Sequence, residues 1–260
     1  MSDSDSTAIE RIVRHDRAML IAMLAGVTVA CWAWIVPMAR DMYGAMTGPS
    51  AWMMTDTWDG PHLLLLLAMW IVMMAGMMLP SATPTLLVYA AASQHRADTR
   101  AGTWRVYAMA AGYVLVWIGF SLCAALLQRV LSVLLLLSPM MRATSPLMSG
   151  SLLIAAGIYQ FTPLKRRCLA SCSAPIVFLM RRWREGASGA FRLGVEHGLL
   201  CVGCCWALML LLFAGGVMNL AVIGALTAVV LLEKIAPFGP RTVRLTGILL
   251  TALGLWVSVA

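Results

Sequence analysis

The chain has 260 residues, of which 61% are hydrophobic and only 12% charged, and its formal net charge is +8. Soluble domains carry about a quarter charged residues, so this composition excludes an ordinary soluble domain and indicates a protein whose solvent is lipid. The basic residues lie in short loops between apolar runs. That placement favours contact with lipid headgroups over binding of nucleic acid.

Seven apolar runs are bounded by charged or turn residues, and each predicts a transmembrane helix. They lie at about 18–38, 62–92, 104–127, 146–163, 190–213, 217–233 and 243–259. Residues 1–17 are then a polar cytoplasmic tail, and residues 18–260 form one all-α membrane domain. Pro80 and Pro84 in the second run predict a kink or break, because proline removes a backbone donor.

The positions of the basic residues predict the orientation of the seven spans. Sixteen of the 19 Lys and Arg residues fall on one side of the membrane when seven spans are assumed. The positive-inside rule places this side in the cytoplasm. We therefore expect a multi-pass protein of the bacterial inner membrane, with its N-terminus in the cytoplasm and its C-terminus outside.

The fifth apolar run carries three of the seven cysteines and one of the four histidines. At about 100° per residue, one helical face holds all four side chains within an arc of roughly 100°. They are His197, Cys201, Cys204 and Cys205. Thiols and an imidazole on one buried face indicate a soft-metal site or a redox pair.

A second pair of cysteines, Cys168 and Cys172, follows the basic segment 165–167. Nearby positive charge favours the thiolate, which is the form that binds metals or attacks disulfides. Their spacing is not that of a zinc ribbon. If segment 168–180 turns back into the membrane, these thiols approach Cys201.

The second apolar run is rich in methionine just before Pro80. The predicted ligands in it are Met73, Met74, Met77 and Met78. Thioethers are soft, uncharged ligands, so beside the cysteines they predict a sulfur-lined path. The alternative is flexible apolar packing, with Gly76 allowing a close helix neighbour. The outer loop 39–61 adds Met42, Met46, Met53 and Met54 as an entrance to this path or as an apolar loop lying on the membrane.

Ionisable residues within spans are costly and are by default functional. Glu196 precedes the histidine of the fifth run, and Glu233 and Lys234 end the sixth. We expect Glu233 and Lys234 to pair with each other as an interfacial anchor. In the alternative, Glu233 forms a hydrogen bond to a residue that binds the metal.

These segments together resemble an uncharacterised bacterial family of predicted metal-binding integral membrane proteins. The matching segments are Met73–Pro80, Lys165 with Cys168–Cys172, His197–Met209, and Gly216–Asn219 with Glu233–Lys234. The resemblance extends from about residue 60 to the end of the chain. It implies metal binding and names no established activity.

The sequence therefore predicts binding or transport of a soft metal ion. Cu(I) is the expected ion, and another soft transition metal is the alternative. The implied partners are the lipid bilayer and a copper chaperone or metalloenzyme. One alternative is a membrane thiol–disulfide oxidoreductase with Cys201 and Cys204 as its redox pair. Another is a structural or assembly subunit of a membrane metalloenzyme. The chain has no P-loop, nucleophile triad or Rossmann turn that would indicate an enzyme of those classes.

Overall fold

The computed structural model describes residues 3–44, 60–94, 99–138, 141–236 and 238–259. Within these ranges the chain forms nine helices, and its one β-type pairing is a bridge between Leu137 and Ala143. The helices are α1 (Asp3–Met42), α2 (Gly60–Gln94), α3 (Thr99–Val133), α4 (Pro146–Gln160), α5 (Pro163–Ser173), α6 (Pro175–Arg182), α7 (Gly186–Gly215), α8 (Leu220–Ile235) and α9 (Gly239–Val259). The predicted all-α architecture is confirmed. The segment predicted as a tail, 1–17, is helical from Asp3 onward and continues into the first span.

Five of these helices are long and apolar enough to cross a membrane, namely α1, α2, α3, α7 and α9. A sixth crossing results if α4 and α5, which meet at a bend of 65°, are counted as one broken span. The predicted sixth span corresponds to α8, whose 16 residues extend over only about 24 Å. The structure thus supports five or six full-length spans among the described residues, where the apolar runs predict seven.

Helix α2 continues through Pro80 and Pro84, so the predicted break does not occur. Pro80 has no N–H to donate to the carbonyl of Gly76, four residues earlier. The indole Nε1 of Trp32 in α1 donates to this carbonyl instead, at 3.3 Å. A neighbouring helix thereby supplies the hydrogen bond that the proline removes, which is one way membrane helices retain proline.

Helix α7 lies at the centre of the bundle and contacts α3, α4, α5 and α8. A Cβ on Gly194 would overlap the carbonyl of Met109 in α3, so the two backbones approach as closely as glycine allows. Seven residues further along, the same face of α7 carries Cys201. The glycine contact therefore helps to set which residues of α3 face the cysteines.

We expect Gly194→Ala to lower the stability of the protein, because the added methyl group forces α3 and α7 apart. Overpacking of this kind costs about 1–3 kcal/mol. The control is Gly119→Ala in α3, where a Cβ would meet nothing within 4 Å. Both variants are heated in detergent, and the loss of monodisperse protein with temperature gives the midpoint of thermal unfolding. Equal midpoints for the two would contradict the proposed close contact.

Candidate metal site

Cys201 is the point at which three helices meet in the interior. Its side chain is buried, and its sulfur lies 3.1 Å from the hydroxyl of Tyr113 in α3. Lys234 of α8 donates to the same sulfur at 2.9 Å. In the described part of the chain, no carboxylate lies within ion-pair distance of Lys234. A thiolate at Cys201 would therefore be the nearest counterion of the Lys234 ammonium.

Helix α2 joins this arrangement through Met78 and Ser81. The hydroxyl of Tyr113 donates to the Met78 carbonyl at 3.1 Å, and the hydroxyl of Ser81 donates to it at 2.8 Å. Lys234 also donates to Ser81 Oγ, at 3.1 Å. Backbone and hydroxyl groups of α2 therefore hold the two side chains that contact Cys201.

Cys204 and Cys205 lie one turn beyond Cys201 and are equally buried. Their sulfurs are 3.7 Å apart. Both thiols donate to the Cys201 carbonyl, at 3.1 Å from Cys204 and at 2.7 Å from Cys205. As protonated thiols they are thus satisfied by their own helix.

The second cysteine pair packs against α7 from α5. The side chain of Cys172 lies next to that of Cys204. The sulfur of Cys168 lies 2.8 Å from the position that a Cβ on Gly203 would occupy, so this glycine makes room for it. The structure thereby places five buried cysteines, from two helices more than ten residues apart in sequence, in one region of the interior.

His197 lies one turn before Cys201 and is 3% exposed. Its ring packs between Tyr113 and Phe178, at centroid distances of 5.6 and 5.3 Å. Its Nδ1 atom is buried without a hydrogen-bond partner. Leaving a buried polar atom unpaired costs about 1–3 kcal/mol, so this nitrogen is available to a ligand or ion.

The four methionines predicted as ligands in α2 are all completely buried. Met74 and Met78 border a small void together with Tyr113 and Trp117, next to the Cys201 contact. The predicted loop ligands Met46, Met53 and Met54 lie outside the described residues. Met42 is fully buried in the core, although the sequence places it in the outer loop.

Two expectations about charged residues are corrected. Glu233 does not pair with Lys234, because consecutive residues on a helix point about 100° apart. Its Oε2 instead accepts from Lys165 Nζ of α5 at 2.7 Å, in a fully buried ion pair. Glu196 binds the guanidinium groups of Arg182 and Arg184, each at 2.9 Å, and so connects α7 to the end of α6 and the turn that follows it.

Sequence reasoning missed the role of Tyr113 and misassigned that of Lys234. The available signal was a lysine at the end of an apolar run, since buried ionisable groups in membranes are by default functional. Among the residues that the structure describes, no three His, Cys, Asp or Glu side chains already stand in the geometry of a metal site. An ion shared by the cluster would require Cys204 and Cys205 to turn away from the Cys201 carbonyl.

Most of the chain is similar to a known protein family. A family model described as PpoB2, copper chaperone, matches residues 67–257, which is nearly three quarters of the chain. Neither the curated proteins nor the solved structures provide a match. The matched region contains α3 to α8 and nearly all of α9, together with most of α2, and so includes every described side chain of the sulfur cluster. The match supports a copper-related role.

Proposed function

The chain belongs to the PpoB2 copper chaperone family, and we propose that it binds Cu(I) within the membrane and passes it on to another copper-handling protein. The proposed ligands are Cys201, Cys204 and Cys205 with His197, followed by Cys168 and Cys172. The main support is the convergence of these five thiols, next to a buried imidazole nitrogen without a partner. Soft thiolates are the ligands that Cu(I) prefers.

The hydrogen bonds of the cluster indicate how loading would proceed. Thiols must lose their protons to bind a metal ion. Loss of these protons ends the hydrogen bonds from Cys204 and Cys205 to the Cys201 carbonyl. The two side chains can then rotate away from α7 towards an ion shared with Cys201 or Cys172. Binding therefore exchanges protons for a metal ion.

Lys234 supplies a positive charge beside this ion. A Cu(I) ion held by two thiolates carries a net charge of −1, and an uncompensated charge in the interior is costly. The ammonium group, 2.9 Å from the Cys201 sulfur, neutralises the complex. The complex of a divalent ion with two thiolates is already neutral, so the same ammonium gives it an excess positive charge. Lys234 thus favours monovalent over divalent ions.

The methionines of α2 provide the more weakly binding ligands of the proposed path. Met73, Met74, Met77 and Met78 are buried beside the helix that carries Tyr113. Thioethers hold Cu(I) without losing a proton, and more weakly than thiolates do. A path from thioethers to thiolates would lead the ion to the cysteines, from where a partner that offers thiolates of its own can take it. We place this path in the bacterial inner membrane, with the N-terminus in the cytoplasm.

The proposal is tested by titrating the reduced, anaerobic, purified protein with Cu(I) in competition with a chelator of known affinity. We expect about one tightly held Cu(I) per chain, with sulfur ligands in the X-ray absorption spectrum. A protein that retains no copper, or that holds it through oxygen ligands alone, would contradict the proposal. Mixed disulfides trapped at Cys201 or Cys204 in a protein that binds no copper would favour the redox alternative.

A further inference from the structure

A cavity of about 580 Å³ lies on the other side of Lys234 from the sulfur cluster. It is bordered by the bend between α4 and α5 and by the turn between α8 and α9. Its walls are largely apolar, and include Phe161, Leu169 and Val243. Because the last full-length span begins at Gly239, which also lines the cavity, this space lies at the level of the membrane interface.

The charged residues that line the cavity have an excess of positive charge. Of its four cations, Lys165 is paired with Glu233, and Lys234 is directed at Cys201 and Ser81. The remaining two, Arg166 and Arg244, are exposed. Neither guanidinium is within ion-pair distance of a carboxylate in the ranges that the structure covers. The open charge of the cavity therefore suits an anion.

The inner wall carries polar atoms that lack partners. Glu233 and Gln160 are 3% and 1% exposed, and their side chains lie next to each other. Glu233 Oε1 and both polar atoms of the Gln160 amide nevertheless have no hydrogen bond of ordinary geometry. Unpaired buried groups of this kind are costly. A ligand that brings hydroxyl donors to these oxygens would remove the cost.

We propose that this cavity binds one phospholipid whose headgroup carries both a phosphate and hydroxyl groups, as phosphatidylglycerol does. The phosphate lies between Arg166 and Arg244. The headgroup hydroxyls donate to Glu233 and Gln160, and an acyl chain follows the apolar wall. Guanidinium groups bind phosphate oxygens in pairs, and basic pockets between membrane helices bind anionic headgroups. The site does not depend on the proposed copper function.

Native mass spectrometry of the full chain, with defined lipids added to the detergent-solubilised protein, tests the proposal. We expect phosphatidylglycerol to be retained most strongly. Phosphatidic acid, which has the phosphate without hydroxyls, should bind more weakly, and phosphatidylcholine weakest. Free glycerol phosphate should not compete at equal concentration, because it lacks the acyl chain. Equal retention of phosphatidylglycerol and phosphatidylcholine would overturn the proposal, and efficient competition by glycerol phosphate would assign the site to a soluble anion instead.

Variants separate this cavity from general attraction to a basic surface. The double variant Arg166→Gln with Arg244→Gln should weaken phosphatidylglycerol binding by at least about 10-fold. The matched control is Arg181→Gln with Arg192→Gln, which removes two exposed arginines that do not line the cavity. Gln160→Leu should reduce the preference for phosphatidylglycerol over phosphatidic acid. Equal losses in the two double variants would show that only surface charge matters and would overturn the assigned site.

Discussion

Serine in place of both Cys201 and Cys204 is expected to remove Cu(I) from the purified protein. These two residues contribute the sulfur that Lys234 faces and the sulfur that lies next to Cys172. A serine hydroxyl is a hard and weakly acidic group, so it does not replace a thiolate for Cu(I). At other metal sites, loss of a residue that only hydrogen-bonds to a ligand already lowers the metal affinity by up to roughly 100-fold. The Cu(I) affinity should fall by more than this, because the two cysteines are themselves ligands. Competition with a Cu(I) chelator measures the change.

The control for this experiment is Cys123→Ser, since Cys123 is an exposed cysteine of α3. This variant should bind Cu(I) as the wild type does. Serine is close to cysteine in size, so both variants should fold, and their elution as monodisperse protein checks this. Unchanged copper binding in the double variant would place the site elsewhere, whereas loss of binding in Cys123→Ser would indicate general damage.

Replacing Lys234 by leucine, which removes the charge without adding a metal ligand, should change which ions the site prefers. Without the ammonium, the complex of a monovalent ion with two thiolates has an uncompensated charge of −1. The complex of a divalent ion with two thiolates is then neutral. We expect the affinity for Ag(I), a redox-stable stand-in for Cu(I), to fall by about 10- to 100-fold relative to that for Cd(II). Competitive titration of the purified protein with both ions measures this ratio.

Lys234→Arg is the matched variant, because it keeps the charge at this position and changes only its shape. It should retain most of the preference for Ag(I). If Lys234→Leu binds Ag(I) and Cd(II) in the same ratio as the wild type, Lys234 has no role in selectivity, even where the wild type binds copper as proposed. Failure of the wild type to bind either ion would instead count against the copper site itself.

The periodicity of α7 could be read directly from the sequence. A regular helix places His197, Cys201, Cys204 and Cys205 on one face, and the structure buries all four on the inward side of α7. The position of Cys168 and Cys172 could not be derived in this way. It depends on the 65° bend between α4 and α5, and residue spacing does not state the direction in which a chain turns after a helix ends.

The partners of the charged residues show the same limit. Adjacency in the chain suggests a pair between Glu233 and Lys234, but the two side chains point to different neighbours. One contacts Lys165, 68 residues earlier in the chain, and the other contacts Cys201. The effect of Pro80 also depended on a neighbour, since Trp32 of α1 supplies the hydrogen bond that keeps α2 continuous.

Composition and periodicity by themselves determined that this is a helical membrane protein and which face of α7 carries its thiols, because both follow from local geometry and from the cost of exposing polar groups to lipid. Only the tertiary structure decided which side chains surround those thiols. Tyr113 and Lys234 reach Cys201 from α3 and α8, and Ser81 of α2 contacts Lys234. Such contacts depend on how helices pack, and that packing is set by small residues such as Gly194, whose effect appears only when the opposing backbone is in place.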